Sequence, residues 1–269
     1  MHALLNVAVM AARRAGAVLI RNLVKLEKLK VEKKGHNDFV SEADRAAERA
    51  IIDVILKHYP DHAILAEESG SQGDTSSDTV WIIDPLDGTT NYLHGFPVFA
   101  ISIGVKVGGR MAHGVVYDPL RQELFTATRG SGAQLDDHKI RVSGQTELDR
   151  ALIGTGFPFR QTDSEVAPYL EMLAKVIRNT SGVRRPGAAA LDLCYVAAGR
   201  LDAFWETGLA PWDLAAGSLI IREAGGIVSG LDGSEGYLDS GHILCGTPKI
   251  YSGLAKLCAN EIKAILHKA

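Results

Sequence analysis

Hydrophobic residues recur every three or four positions through the first part of the chain, and this spacing predicts an amphipathic helix over residues 4–23. The lysine-rich segment 28–34 follows, and we interpret it as a solvated connection because charge runs are usually exposed. A second helix is predicted from Ser41 to Tyr59, since Ser41 is a good N-cap and an acid, Asp44, stands three residues later.

The middle of the chain carries short apolar or alternating runs separated by turn residues, a pattern typical of strands. The predicted strands lie at residues 63–66, 80–83, 98–107, 111–117, 122–128 and 133–142. The polar segment 69–78 is interpreted as a mobile loop, and Gly108-Gly109 as the turn of a hairpin. We therefore expect an antiparallel, meander-like middle region.

The second half of the chain alternates helical and strand patterns. Helices are predicted at residues 165–178, 188–198, 213–223 and 249–265, and strands near Ala151, Leu201 and Ile243. This alternation predicts a layered α/β half. We expect an α/β fold of the layered α+β kind, in which an N-terminal α+β half at 1–145 and a C-terminal α/β half at 146–269 form one continuous unit.

Composition and charge narrow the function classes. The 269 residues carry a net charge of −3, which argues against autonomous binding of nucleic acid. The three cysteines show no CxxC spacing, so neither a disulfide framework nor a thiolate zinc site is indicated. Arg13-Arg14 interrupts the apolar N-terminal residues, and we read no signal peptide there. We expect a cytoplasmic protein that binds no membrane and, directly, no nucleic acid.

Candidate chemistry begins where two aspartates flank one proline turn, in the segment Trp-Ile-Ile-Asp-Pro-Leu-Asp-Gly-Thr-Thr at residues 81–90. Pro85 is expected to end the strand, while Gly88 and Thr89 would offer backbone N–H groups and a hydroxyl where the next element begins. Alone, Asp84 would be read as an ordinary turn residue, because aspartate often closes strands.

Three further segments place an acid where a strand should end or a helix should begin: Glu67-Glu68, Glu206 and Asp213. Carboxylates beside apolar residues are costly to desolvate unless cations or hydrogen bonds compensate them. The candidate ligands are carboxylate oxygens, and no cluster of His or Cys accompanies them. Oxygen ligands suit a hard cation such as Mg²⁺ or Mn²⁺ rather than zinc. Since Mg²⁺ often binds substrate phosphate as well, we expect a phosphate ester substrate, hydrolysed by a metal-activated water.

These segments carry a resemblance. With Glu67-Glu68-Ser69, residues 81–91, residues 212–217 and residues 223–226, the chain resembles the inositol monophosphatase family in order and spacing over nearly its whole length. Ala210-Pro211 precedes the Trp-Asp pair where animal members tend to have His-Cys, so the chain looks closer to bacterial SuhB-type members. The resemblance implies a lithium-sensitive, Mg²⁺-dependent phosphomonoesterase, a homodimer with the five-layer αβαβα sugar-phosphatase architecture.

The resemblance also implies roles for residues at matching positions. The implied metal ligands are Glu67, Asp84, the Leu86 carbonyl, Asp87 and Asp213, for two or three Mg²⁺ ions per subunit, with Mn²⁺ as a substitute. The implied catalytic residues are Glu67, Asp44 and Thr89. Thr89, oriented by Asp44, would position the attacking water.

Substrate contacts are implied in the same way. The implied substrate-binding residues are Asp87, Gly88, Thr89, Ala189, Glu206 and Asp213. The N–H groups of Gly88 and Thr89 would cradle the phosphate at a helix N-terminus, and Glu206 would face the alcohol. Lys33 matches a lysine of the family's mobile active-site loop.

Plainer interpretations exist for several of these residues. Asp44 and Asp213 are also ordinary first-turn helix acids, Thr89 an ordinary N-cap and Lys33 one more solvated lysine. Arg184-Arg185 lies at a predicted strand end, where a surface pair is favoured over a contact with phosphate or a partner. The joint pattern reverses the preference for all but Lys33 and the arginine pair.

The expected substrate is inositol 1-phosphate or a similar polyol or sugar monophosphate. Fructose 1,6-bisphosphate, histidinol phosphate and 3′-phosphoadenosine 5′-phosphate stay open, because the motifs shared across the superfamily are the metal ligands. A different class also stays open: SuhB-type members are linked to transcription antitermination and ribosomal RNA processing. The chain would then bind a protein of the transcription machinery, with incidental phosphatase activity.

Overall fold

The computed structural model describes residues 2–24, 26, 31–35, 38–74, 77–158 and 163–267, with the backbone alone for 31–35, 38–40 and 163–165. The helices are α1 Ala3–Leu23, α2 Glu42–His58, α3 Thr89–Leu93, α4 Asp163–Asn179, α5 Ala189–Ala197, α6 Pro211–Glu223, α7 Tyr237–Ser240, α8 Pro248–Leu257 and α9 Ala259–Leu266. A short 3₁₀ helix covers Leu148–Arg150.

The strands form a hairpin and two mixed sheets. They are β1 Val31–Gly35, β2 Asp38–Ser41, β3 Ala63–Ala66, β4 Gly70–Gln72, β5 Thr79–Asp87, β6 Ala100–Val107, β7 Arg110–Asp118, β8 Glu123–Thr128, β9 Gly132–Leu135, β10 His138–Lys139, β11 Leu152–Thr155, β12 Gly182–Arg184, β13 Ala203–Glu206, β14 Ile227–Ser229 and β15 Ile243–Gly246. β1 pairs with β2, the eight-stranded sheet has the order β10-β9-β8-β7-β6-β5-β3-β4, and the five-stranded sheet has the order β12-β11-β13-β15-β14.

Helices and sheets alternate in five layers. α1 and α2 cover one face of the eight-stranded sheet, and α5 and α6 fill the space between the two sheets. α4, α8 and α9 cover the outer face of the five-stranded sheet. The two central helices are apolar nearly all round, as expected of helices buried on both sides. The layered α/β prediction is confirmed. The proposed division at residue 145 stays a prediction, with the two main sheets on either side of it.

The backbone of helix α6 packs directly against the backbone of the eight-stranded sheet. A Cβ atom added at Gly114 of β7 would lie 2.8 Å from the carbonyl oxygen of Ala216, and one added at Gly104 of β6 would lie 2.8 Å from the Cβ of Ala215. These glycines let the helix pack directly on the strands, since any side chain there would push α6 away. The position of Asp213, at the start of α6, therefore depends on the sheet beneath it.

The first two helices and the hairpin confirm their predictions. Ser41 caps α2, its hydroxyl accepting from the N–H of Ala43, while Asp44 closes a capping box by accepting from the N–H of Ser41. Gly108 and Gly109 have φ of 56° and 74°, which a tight hairpin turn of this kind requires. α1 is also long and apolar enough to cross a membrane by length and composition, a test that core helices pass too. Its alanines Ala8 and Ala15 are fully buried.

Pro85 does not end its strand, contrary to the prediction. β5 continues to Asp87, and its register against β6 slips by one residue between Asp84 and Asp87. A proline fits there because a bulge does not use its missing N–H. Residues three apart in a regular strand face opposite sides, so the extra residue brings the two aspartates to the same side.

Four other local predictions are wrong in part. The lysine-rich segment contains β1, although residues 28–30 lie outside the described residues, and the loop predicted at 69–78 contains β4, with 75–76 outside them. Both strands form by pairing with a neighbour rather than by their own hydrophobic pattern. The strand predicted at 133–142 is two short strands around a turn, and the last predicted helix is broken at Cys258 into α8 and α9.

Candidate active site

The ends of β5, β13 and the first turns of α3, α5 and α6 meet around one cavity of about 470 Å³. Nine of the predicted site residues line it: Glu67, Asp84, Leu86, Asp87, Gly88, Thr89, Ala189, Glu206 and Asp213. Asp44 is fully buried behind Thr89. Lys33 lies in β1 opposite Phe39, and its side chain lies outside what the structure describes, so its role stays a prediction.

Three carboxylates form the centre of the site. One oxygen from each of Asp84, Asp87 and Asp213 lies within 4.8 Å of the others. Asp84 and Asp87 come from the bulged end of β5, and Asp213 comes from the first turn of α6. This is a cluster of oxygen donors of the kind that divalent cations bind.

Burial first, and then the charge of neighbouring acids, raise the pKa of Asp84 and of Asp87. The pKa of Asp84 lies well above its ordinary range, first because the side chain is buried and then because Glu67, Asp87 and Asp213 are negatively charged neighbours. Burial and the charge of Asp213 raise the pKa of Asp87 to about 7. Crowded acids of this kind indicate a functional site, since a folded protein gains nothing from repulsion alone.

Backbone N–H groups hold each of the three carboxylates in place. Asp84 Oδ1 accepts from the N–H of Leu86 at 2.9 Å, and Asp213 Oδ2 accepts from the N–H of Ala210 at 2.8 Å. Asp87 Oδ2 accepts from the N–H of Ala190 at 2.8 Å, across the boundary between the two sheets and from the first turn of α5. The helix N-terminus favours that negative charge and partly offsets the burial of Asp87.

Thr89 and Asp44 form a hydrogen-bonded pair at the edge of the cavity. The Thr89 hydroxyl donates to Asp44 Oδ1 at 2.9 Å and lies 3.1 Å from the Leu86 carbonyl oxygen. Asp44 Oδ2 in turn accepts from the backbone N–H and the hydroxyl of Ser41. Burial raises the pKa of Asp44, and the hydrogen bonds from Ser41 and Thr89 oppose that rise. The capping box of α2 thus also orients a side chain of the site.

Gly88 directly precedes helix α3, as its N-cap, in a conformation that favours glycine. Its φ is 90°, and an added Cβ would lie 2.9 Å from the carbonyl oxygen of Val98. The first N–H groups of a helix have no partner within the helix, so the start of α3 presents donors at the cavity wall. Asn91 was part of the recognised motif without an assigned role. Its Nδ2 donates to the carbonyl oxygens of Val98 at 2.8 Å and Pro186 at 2.9 Å, which joins the two walls.

Glu206 lies on the opposite wall of the cavity, together with Arg185, while Asp192 is buried nearby; the sequence predicts no site role for Arg185 or Asp192. Arg185 is exposed, as the surface-pair interpretation of Arg184-Arg185 expects, but it also lines the cavity, and its guanidinium lies 5.2 Å from the ring centroid of Phe157. Asp192 of α5 is buried, and among the described residues its Oδ1 has no hydrogen-bond partner. Burial first, and then the charge of Glu206, raise the pKa of Asp192 well above its ordinary range. The sequence shows Asp192 only as a single acid on a predicted helix, and such a residue gives no indication that its side chain is buried near Glu206.

The sequence as a whole matches a known family. The pattern that describes the inositol monophosphatase family matches residues 1–263. The Nus factor SuhB of Pseudomonas aeruginosa is 50% identical over 257 residues, which cover 94% of this chain and 95% of that protein.

Solved structures agree in fold over almost the whole chain. The extragenic suppressor protein suhB of Bartonella henselae superposes with a TM-score of 0.93 at 44% identity, covering 96% of this chain and 99% of the other. The inositol monophosphatase of Anabaena (Nostoc) superposes with a TM-score of 0.85 at 40% identity, covering 95% of each chain. Such agreement places the cavity residues on a shared framework.

Proposed function

The chain belongs to the inositol monophosphatase family, and from this premise we propose that it is a Mg²⁺-dependent phosphomonoesterase acting on inositol 1-phosphate or a similar polyol or sugar monophosphate. The observation that carries the proposal is the cluster of Asp84, Asp87 and Asp213, whose oxygens lie within 4.8 Å of one another in a cavity that Glu206 also lines. The cluster supports metal-assisted hydrolysis, and Glu206 supports an alcohol rich in hydroxyl groups.

The donor set fits a hard divalent cation. All of its side-chain donors are carboxylates. Burial and neighbouring negative charge raise the pKa of Asp84 and of Asp87, and a bound cation would offset both effects. The residues that would hold two or three Mg²⁺ ions, or Mn²⁺, are Glu67, Asp84, the Leu86 carbonyl, Asp87 and Asp213. A bound Mg²⁺ would polarise the phosphoryl oxygens and make a water molecule more acidic.

The remaining groups position the reactants. The one proton of the Thr89 hydroxyl points at Asp44 or the Leu86 carbonyl, so its oxygen can accept a hydrogen bond from the attacking water and orient it. The N–H groups at the start of α3 bind phosphate oxygens. Glu206 accepts hydrogen bonds from hydroxyls of the leaving alcohol.

Steady-state kinetics on a panel of phosphate esters test the proposal. With Mg²⁺ present, kcat/KM should be highest for inositol 1-phosphate or glycerol 2-phosphate. The kcat/KM values for fructose 1,6-bisphosphate, histidinol phosphate and 3′-phosphoadenosine 5′-phosphate should be lower. We also propose that Li⁺ inhibits, measured against equal concentrations of Na⁺ because salt alone screens charge. No hydrolysis of any ester with Mg²⁺ or Mn²⁺ would refute the proposal.

We expect Glu206→Gln to lower kcat/KM for inositol 1-phosphate by about ten- to a hundredfold, because a charged acceptor is worth about 1.5–3 kcal/mol. The activity on 4-nitrophenyl phosphate, which has no such hydroxyls, should change little. The conservative amide keeps the size of the side chain, so both substrates can be measured on one folded variant. An equal loss on both substrates would place Glu206 in the metal site or the structural core instead.

Mg²⁺ affinity should rise with pH between about 6 and 8. In the metal-free protein the pKa of Asp87 is raised to about 7, so below that pH the carboxyl holds a proton that Mg²⁺ must displace. Each displaced proton weakens binding about tenfold per pH unit below the pKa. Calorimetric titrations at pH 6 in two buffers of different ionisation enthalpy should show at least about one proton released per protein, since the pKa of Asp84 is raised as well. Binding with no proton release at pH 6 would contradict this.

A second candidate function has its own support. The relative from Pseudomonas aeruginosa, half identical to this chain, is named a Nus factor, which suggests a role in a transcription complex. The chain would then act as a protein-binding factor, with the phosphatase activity incidental. A variant without phosphatase activity that still binds transcription proteins in a pull-down from lysate would favour this function. A variant that loses the phosphatase activity and the binding together would not favour it. We also infer a homodimer, which sedimentation equilibrium would test.

A further inference from the structure

A groove lies between helices α1 and α2, away from the candidate active site. It consists of two adjoining cavities of about 470 and 390 Å³, and Arg14 of α1 and Asp53 of α2 line both of them. Arg21 and Arg49 line the first cavity only, and Met10 and Lys57 line the second only. The two helices therefore run antiparallel along it. From Met10 to Arg21 the groove spans about 16 Å, or three helical turns.

The groove is positively charged. Arg14, Arg21, Arg49 and Lys57 are exposed there, and Asp53 is its one acid among the residues that line the two cavities. Within the described part of the chain, none of the four cations forms an ion pair or a hydrogen bond with a side chain. Four unpaired cations along three helical turns make a local excess of positive charge on a protein whose net charge is −3.

The excess arises because the neighbouring acids point elsewhere. α1 contains three arginines and no Asp or Glu. The acids of α2 include Asp44, which is fully buried against Thr89, and Glu48, which is 4% exposed and accepts from the N–H of Glu68 at 2.8 Å. Acids on the inner side of α2 therefore serve the site and its framework, and they leave the cations on the outer side unbalanced.

The floor of the groove is apolar. Small side chains, among them Ala17, Ala46 and Ala50, lie between the charged residues, with Val18 beside them. An apolar floor with basic rims suits a peptide that has apolar side chains on one face and carboxylates on either side. Arginine pairs with carboxylates in bidentate geometry, which favours such a partner. A nucleic-acid backbone fits less well, since it has no apolar side chains to place on this floor.

We infer that the α1–α2 groove is a docking surface for an acidic, amphipathic segment of a partner protein. The inference does not depend on the phosphatase proposal, because no groove residue lines the candidate active site.

Fluorescence anisotropy with a labelled peptide of about 14 residues, built from Glu and Leu at helical spacing, tests the inference on the full chain. The double charge reversal Arg14→Glu with Arg49→Glu should weaken binding at least about tenfold at low salt. Arg178→Glu, an exposed reversal on α4, is the matched control and should change binding less than about twofold. Activity on 4-nitrophenyl phosphate should stay at the wild-type level in all three proteins.

A milder pair, Arg14→Gln with Arg49→Gln, covers the case in which the reversal disturbs folding, and it should weaken binding about threefold or more. Three outcomes would overturn the inference. The first is that the peptide shows no saturable binding up to about 1 mM. The arginine variants could bind it as tightly as the wild type. A polyuridylate of equal length could compete with the peptide and depend on the same two arginines, which would make the groove a nucleic-acid site.

Discussion

Replacing Asp84 by asparagine should abolish phosphatase turnover and leave the fold intact. Asp84 lies at the centre of the carboxylate cluster, next to Glu67, Asp87 and Asp213, and we propose that it binds two metal ions at once. A neutral amide would weaken both ions together. The asparagine oxygen can still accept from the N–H of Leu86, and losing a charge relieves repulsion, so the melting temperature should not fall.

The measurement is kcat at saturating Mg²⁺ together with thermal unfolding of the same sample. Asp239→Asn, which changes an exposed acid on α7, is the matched control and should keep wild-type kcat. If Asp84→Asn kept more than about a tenth of wild-type kcat, a loss of no more than about 1.4 kcal/mol, the proposed sharing of Asp84 between two metals would be wrong.

Adding a single methyl group at Gly114 should destabilise the protein and reduce its activity together. The new Cβ would lie 2.8 Å from the carbonyl oxygen of Ala216 and 3.1 Å from its Cα, and both are backbone atoms of α6 that no side-chain rotation can move. Overpacking of this kind costs about 1–3 kcal/mol. Because α6 also carries Asp213, a shift of the helix away from β7 would misplace a proposed metal ligand.

Gly114→Ala should therefore lower the melting temperature by about 2–12 °C, at about 2–4 °C per kcal/mol for a chain of this size. It should also raise the Mg²⁺ concentration needed for half-maximal activity. Gly144→Ala is the matched control, because an added Cβ there meets nothing within 4 Å, and its stability should change by less than about 0.5 kcal/mol. If Gly114→Ala had the same melting temperature as the wild type, α6 would be able to move at little cost in stability.

Several elements could be predicted because their signals are local. The capping box of Ser41 and Asp44 spans three residues, and the glycine pair of the β6–β7 hairpin forms its own turn. The 81–90 segment placed two acids, a glycine and a threonine together by sequence alone, and the structure finds all of them at one cavity. Their metal-binding and catalytic roles remain proposals that the variants above test.

Other features could not be predicted, because they depend on distant partners. β4 is a strand because β3 lies beside it, and the bulge that turns Asp84 and Asp87 to one side exists only against β6. Arg185 lines the cavity, and the carbonyl of Pro186, its neighbour in the chain, accepts from Asn91, which lies 95 positions from Pro186. The residues next to these positions in the sequence give no indication of which distant strand or side chain they will contact.

The sequence by itself determined the kind of chemistry, through acids at element ends, and most helices and strands, through periodicity and caps. The tertiary structure alone decided how these acids meet, how burial and neighbouring charge raise the pKa values of Asp84 and Asp87, and which cations stay unpaired in the α1–α2 groove. The reason is physical: helical periodicity and capping act over three or four residues, whereas the contact of Asp87 with Ala190 joins positions 103 apart. Burial and electrostatics depend on such contacts, and only the folded chain makes them.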